Sequence, residues 1–259
     1  ELYFEVQAYV GTTKHMGGLK ATEELVALCP IGGDAHVLDV GCGVGATACY
    51  LAKRYGCRVV GVDLLESMIA RSNERARREG MEDRVEFKVA DAQALPFADA
   101  LFDVVIGESV ITFVEDKRKA VSECVRVTKP GGYVGLNEET WMKTPVPAEL
   151  VEFVSHTWGG AKPETSDGWV ALLEGAGLRD VVVRTHRFSA LKEASQIGRY
   201  SFGDLARMLY RTASLYIRSP AFRRYMKGRG ALPKNIWEYL GYGLYVGRKA
   251  REWNSGTLT

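Results

Sequence analysis

The sequence predicts an α/β protein: a mostly parallel seven-stranded sheet with helices on both faces, its last strand antiparallel, carrying an added helical segment. Three observations lead there. From residue 34 onward, short apolar runs alternate with stretches of helical periodicity. A glycine-rich loop joins the first run to the first helix. The chain has 259 residues, 46% hydrophobic and 25% charged, which suits a large folded core and excludes a disordered chain, a small disulfide scaffold and a collagen-like repeat.

The elements follow in order. HVLDV (36–40) reads as a buried strand, and ATACYLAKRY, closed by Lys53, Arg54 and Gly56, as a helix with a basic last turn and a glycine stop. RVVGVD (58–63) is the next strand, followed by a helix to about Arg78 that stops at Gly80. RVEFKVAD (84–91) and FDVVIGES (102–109) are further strands. A helix over roughly 115–127 leads through a KPGG turn (129–132) into the strand YVGLNEE (133–139). LRDVVVRTHRF (178–188) and EYLGYGLYVGRK (238–249) are the last two strands, the second antiparallel. Between them, Phe202, Leu205, Leu209, Ala213, Tyr216 and Ile217 keep a spacing of three to four and mark a helix that Ser219-Pro220 breaks. The resulting division is an N-terminal helical lid (1–33), a core (34–140), a helical cap segment (141–177), and C-terminal core strands (178–259) with a helical insertion at 189–235.

The stretch VLDVGCGVGATACYLA (37–52) carries the most chemistry. Gly41, Gly43 and Gly45 lie where a helix presents free N–H groups and the positive end of its dipole. The dinucleotide pattern G-x-G-x-x-A is formally met by Gly41, Gly43 and Ala46, so a nicotinamide oxidoreductase is an alternative. Four features weigh against it. Asp39 precedes the first glycine by two, placed to meet an ammonium rather than a pyrophosphate. Asp63 ends the second strand. Asp91-Ala92 closes the third, with LPF beyond. KPGG follows the fourth.

With this ordered set, residues 17–140 resemble the class I S-adenosylmethionine (SAM) dependent methyltransferases, and most closely their small-molecule branch of quinone, sterol and phosphoethanolamine enzymes. The resemblance implies a Rossmann-like fold and a methyl transfer that releases S-adenosylhomocysteine, with no metal. It implies that the Gly41–Gly45 backbone, with Cys42, holds the methionine part and that Asp39 lies near its amino group. Asp63 would take the ribose hydroxyls, Leu64 and Met68 the adenine surroundings, Asp91 the adenine amine and Ala92 its ring, with Glu108 at the carboxylate end. Each aspartate has a plainer rival: Asp39 and Asp91 as turn residues, Asp63 as a helix N-cap. A non-catalytic SAM-binding or regulatory protein shares the fold, and its sign would be a ruined glycine loop or a missing Asp63.

Transfer from a sulfonium needs alignment and exclusion of water, and a base only where the acceptor carries a proton, so a catalytic motif is not required. YVGTTKHMGGLKAT (9–22) resembles the lid of the phosphoethanolamine enzymes, whose Tyr pairs with a His after strand four. The matching position here is Phe113, so that dyad does not carry over. His15, Tyr9, Glu108 and Glu138 are the candidate bases, and Phe113 and Trp141 candidate apolar walls. For each base a structural role is the competing reading.

The net charge of +2 conceals a division. Residues 199–229 hold eight basic residues against one acid, a net +7, and the rest of the chain carries −5. Three readings fit: a solvated face whose apolar side covers the active site, recognition of an anionic substrate group by Arg207 and Arg211, or a basic-aromatic contact with an anionic membrane admitting a lipid-like acceptor. A nucleic-acid partner ranks below these, and oligomeric state is not legible. Five cysteines without zinc spacing, and no run of about 18 apolar residues, point to a cytoplasmic protein, peripheral to a membrane at most.

Overall fold

The computed structural model describes residues 2–10, 15–188, 202–228 and 232–251. Two N-terminal helices, α1 (Leu2–Val10) and α2 (Gly18–Leu28), precede the sheet. Then follow β1 (His36–Val40), α3 (Ala46–Tyr55), β2 (Arg58–Asp63), α4 (Glu66–Glu79), β3 (Val85–Val89), β4 (Phe102–Glu108), a 3-10 turn (Ile111–Phe113), α5 (Lys117–Val127) and β5 (Thr128–Trp141). After β5 come α6 (Ala148–Thr157), β6 (Glu164–Thr165), α7 (Ser166–Gly175), β7 (Leu178–Arg187), α8 (Phe202–Arg218), α9 (Pro220–Gly228), α10 (Ile236–Tyr239) and β8 (Leu240–Lys249).

The main strand order is β3-β2-β1-β4-β5-β8-β7. The first five strands pair in parallel, and β8 runs antiparallel to both β5 and β7. The expected single reversed strand is therefore β8. An eighth strand that the sequence does not announce, the two-residue β6, pairs with the end of β5.

Strand alternation divides the core. Val37, Val59 and Val104 point to one face of the sheet, and their neighbours Leu38, Val60 and Val105 to the other. On the first face Leu25, Val26, Ala48 and Leu51 supply helix cover; on the second Val121, Trp169 and Leu173 do so. Helix ends behave as their sequences dictate. Gly56 and Gly80 close α3 and α4 at φ 75° and 65°, a left-handed conformation that costs glycine nothing. Asp116 caps α5 by accepting from the Lys119 amide at 3.0 Å.

Two boundaries differ from the sequence reading. KPGG is a bulge inside β5 rather than a turn before it: the register jumps from Phe102–Thr128 to Val104–Tyr133, so four residues loop out against one on β4. The start of EYLGYGLYVGRK is helical, and β8 begins at Leu240. The segment 141–177 contributes side chains to the core. Leu150, Val154, Trp169 and Leu173 are fully buried in the core, because α6 and α7 lie against the sheet. Of the insertion 189–235, residues 189–201 and 229–231 lie outside the described residues.

Trp169 is fully buried and donates its indole N–H to the Glu139 carbonyl at 3.1 Å. Trp169→Ala is expected to lower stability by about 3–5 kcal/mol in urea unfolding, through lost burial, a cavity and an orphaned carbonyl. A loss under about 1 kcal/mol would show that α7 is peripheral to the core.

Candidate functional site

The carboxyl ends of β1, β2, β3 and β4 open into one cavity of about 410 Å³. Its lining runs in sequence from Tyr3 to Glu115, so α1 closes one side and the strand-end loops the other. Parallel strands present their final residues and following loops at the same edge, which makes this edge the natural place for a ligand.

The loop after β1 folds as its glycines require. Gly41, Gly43 and Gly45 all have positive φ, at 68°, 53° and 71°. A Cβ on Gly41 would collide with Val110, and one on Gly45 would lie 2.7 Å from the Phe87 ring. Gly41, Cys42 and Gly43 line the cavity. Gly45 does not: it is the N-cap of α3, packed against Phe87 and Ser72.

Three carboxylates face this loop. Asp39 is 2% exposed, and its Oδ2 has no hydrogen-bond partner. Burial, then the charges of Glu108 and Asp63, push its pKa well above the usual carboxylate range, against a backbone hydrogen bond from Ala48. Asp63 accepts from the Gly43 amide through Oδ2 and from the Leu65 amide through Oδ1, each at 3.0 Å. Burial raises its pKa, and those amides oppose the shift. Glu108 accepts from Thr22 Oγ1 at 2.9 Å, Thr47 Oγ1 at 2.8 Å and Asn137 Nδ2 at 3.4 Å. His15 Nδ1 lies 3.5 Å from Glu108 Oε1 and 3.2 Å from Asn137 Nδ2. On the far side, Asp91 accepts from the Gln93 amide at 2.8 Å, and Ala92, Met68 and the exposed Leu64 complete the wall.

Comparison with known proteins agrees with this geometry. A family model described as a methyltransferase domain matches residues 38–136. The chain is 36% identical over 185 residues to an uncharacterized protein of Haemophilus influenzae, covering 67% of this chain and 70% of that protein. It is 33% identical over 184 residues to phosphoethanolamine N-methyltransferase 1 of Arabidopsis thaliana, covering 70% of this chain and 36% of that protein. The chain thus spans only about a third of that relative's length. The chain belongs to the class I SAM-dependent methyltransferases. A solved structure of Haemonchus contortus phosphoethanolamine N-methyltransferase 2 in complex with S-adenosyl-L-methionine shares the fold. Its TM-score is 0.72 at 20% identity, over 96% of this chain and 57% of that one.

In this methyltransferase the sequence-derived residues separate into two groups. Asp39, Gly41, Cys42, Gly43, Asp63, Leu64, Met68, Asp91, Ala92, Glu108, His15 and Phe113 all line the cavity. Five do not. Tyr9 is 39% exposed on α1 and outside the lining, to which that helix gives Tyr3, Phe4 and Gln7. Glu138 is fully buried and accepts from the amides of Val110, Ile111 and Thr112, so it fixes the turn that carries Phe113. Trp141 packs in the core. Arg207 is exposed and Arg211 half-buried on α8, outside the lining. Sequence order could not separate these because lining depends on which face of an element turns toward the cavity.

Several site residues carried no sequence signal. Ser109 lines the cavity at φ 53°, rare for a non-glycine, with its amide donating to the Asn137 carbonyl and its hydroxyl to Glu139 Oε1 at 2.9 Å. Thr22, Thr47 and Asn137 meet at Glu108 only through the fold. Tyr3, Phe4 and Phe113 form an aromatic wall, with Phe4 edge-on to both others at 5.0 Å.

The raised pKa of Asp39 fixes a sign for unliganded stability. The unfolded carboxyl ionises at its ordinary value of roughly 4, while the folded one retains its proton to higher pH. Stability is therefore full below that ordinary value and falls as pH rises toward the folded one. Asp39→Asn removes the fall, and at pH 8 the unliganded variant should melt about 2–4 °C above wild type, with the gap closing toward pH 4. A lower melting temperature at pH 8 would show that Asp39 is stabilised by ionisation.

Proposed function

We propose that this cavity binds SAM and that the chain transfers its methyl group to a small organic acceptor. The unpartnered, buried Oδ2 of Asp39 beside the glycine loop carries the reading, because such an oxygen suits an ammonium group. Bound here, SAM supplies a methyl carbon already activated by a sulfonium. The Gly41–Gly43 turn borders the methionine end, and Asp63, which accepts from the Gly43 amide, offers its remaining acceptor capacity to the ribose hydroxyls. Asp91 and Ala92 border the adenine, with Leu64 and Met68 on its faces.

The acceptor side is aromatic and acidic. Among the described residues no Lys or Arg lines the cavity, whereas Tyr3, Phe4 and Phe113 do. Of the two acceptor classes raised by the charge pattern, anionic and lipid-like, this lining favours an apolar, neutral body. Where the acceptor carries a proton, His15 receives it, and Glu108 beside it stabilises the imidazolium. The competing nicotinamide reading has no ammonium for Asp39 to meet. A cytoplasmic location, with at most peripheral membrane contact, fits a chain whose described residues include no helix long and apolar enough to cross a membrane.

Calorimetry should detect binding of SAM but not of NAD, and Asp63→Ala should weaken SAM affinity at least about tenfold by removing charge-assisted hydrogen bonds. Tight NAD binding without SAM binding would reverse the assignment. With a protonated acceptor found by screening for S-adenosylhomocysteine release, His15→Ala should cut kcat by roughly 100-fold or more while SAM affinity stays within a few-fold. An unchanged kcat would remove His15 from the chemistry.

A further inference from the structure

Helix α8 buries part of its apolar surface and leaves the larger part uncovered. Its half-buried positions are Leu205, Met208, Arg211, Thr212, Ser214 and Leu215, and its main contacts are with α1 and α9. Other large apolar residues, paired at steps of seven, face solvent: Leu209 is 73% exposed and Tyr216 49%, Tyr210 71% and Ile217 74%. Met226 on α9 is 44% exposed. Large apolar side chains so exposed and so aligned are unusual on a soluble monomer. Among the described residues, none of α8 or α9 lines the cavity, so the exposed stripe stands apart from it.

The charge around this ridge selects its occupant. Arg218 and Arg224 are exposed on the same helix pair, within a segment that carries +7 in sequence. A second copy of the chain presenting the same face would set +7 against +7. Phosphate-rich nucleic acid would be attracted by the arginines but gains nothing from Leu209 and Ile217. An anionic bilayer satisfies both features, taking apolar side chains below its headgroups and arginines among them.

We propose that α8 and α9 form a docking surface for an anionic lipid membrane. The surface lies outside the cofactor cavity, so it stands or falls independently of the reading of that cavity. It also has a consequence for access. Helix α8 rests on α1, and α1 supplies Tyr3, Phe4 and Gln7 to the cavity wall, so a membrane seated on α8 lies one helix away from the acceptor site.

The test is co-sedimentation of the full chain with phosphatidylcholine vesicles, alone or mixed with phosphatidylglycerol, at low and moderate salt. Binding is expected only to the mixed vesicles and should weaken with salt. Leu209→Asp with Ile217→Asp should abolish it, and Arg218→Glu with Arg224→Glu should weaken it roughly tenfold or more. Circular dichroism and SAM affinity report whether each variant folds, and the arginine pair decides the matter if the aspartate pair does not. Absence of binding to mixed vesicles overturns the proposal, as does binding that both folded variants retain. A dimer in solution that the aspartate pair dissociates, without vesicle binding, assigns the ridge to a second copy instead.

Discussion

Asp63 and Glu108 end β2 and β4, Asp39 is next to last on β1 between them, and together they bring three carboxylates to one cavity. Burying acids together is unfavourable, since burial and mutual repulsion both act against ionisation. Each is accommodated differently. Glu108 is met by two threonine hydroxyls and an amide side chain, and Asp63 by the backbone of its own cavity edge. Asp39 keeps an oxygen without a partner. That residual deficit is a stored preference for a cationic group, and the local backbone is arranged around it: glycines at positive φ bring the chain close without side chains in the way.

The same carboxylates couple the lid to the core. Thr22 on α2 reaches Glu108 on β4, and Met16 and His15 are held through Asn137, which stands opposite Glu108 in the β4–β5 register. The N-terminal segment is thus fastened to the strand ends by hydrogen bonds rather than by apolar contact alone. Farther along, Glu138 caps the turn after β4 with three backbone amides, and burial raises the pKa of both Glu138 and its neighbour Glu139. Ser109 sits between these two constraints in a left-handed conformation that costs on the order of 1 kcal/mol or more. The aromatic wall of Phe113 is positioned by this arrangement, so the shape of the acceptor side depends on buried polar groups that never touch the ligand cavity.

The outer helices obey a different balance. The acidic cavity and the basic α8–α9 pair divide the charge of the chain in space as well as in sequence. The arginines therefore do not compensate the cavity, and the apolar ridge beside them is not spent on the core.

The sequence alone determined the sheet, because strand runs such as HVLDV and RVVGVD, with glycine stops at 56 and 80, leave little choice of element or order. It also determined which strand-end residues meet at the cavity, such as Asp39, Asp63 and Asp91, since residues at the carboxyl ends of parallel strands are delivered to one edge. Tertiary structure decided everything set by the facing of a side chain. Glu138 and Glu139 are neighbours in sequence, yet one caps a turn and the other meets Ser109, because alternate residues of β5 address opposite faces of the sheet. Leu209 and Ile217 show the same limit on a helix. Periodicity identified a stripe, but only the packing of α8 on α1 showed that the stripe faces out, since the sequence of a helix fixes which residues share a face and not what that face meets.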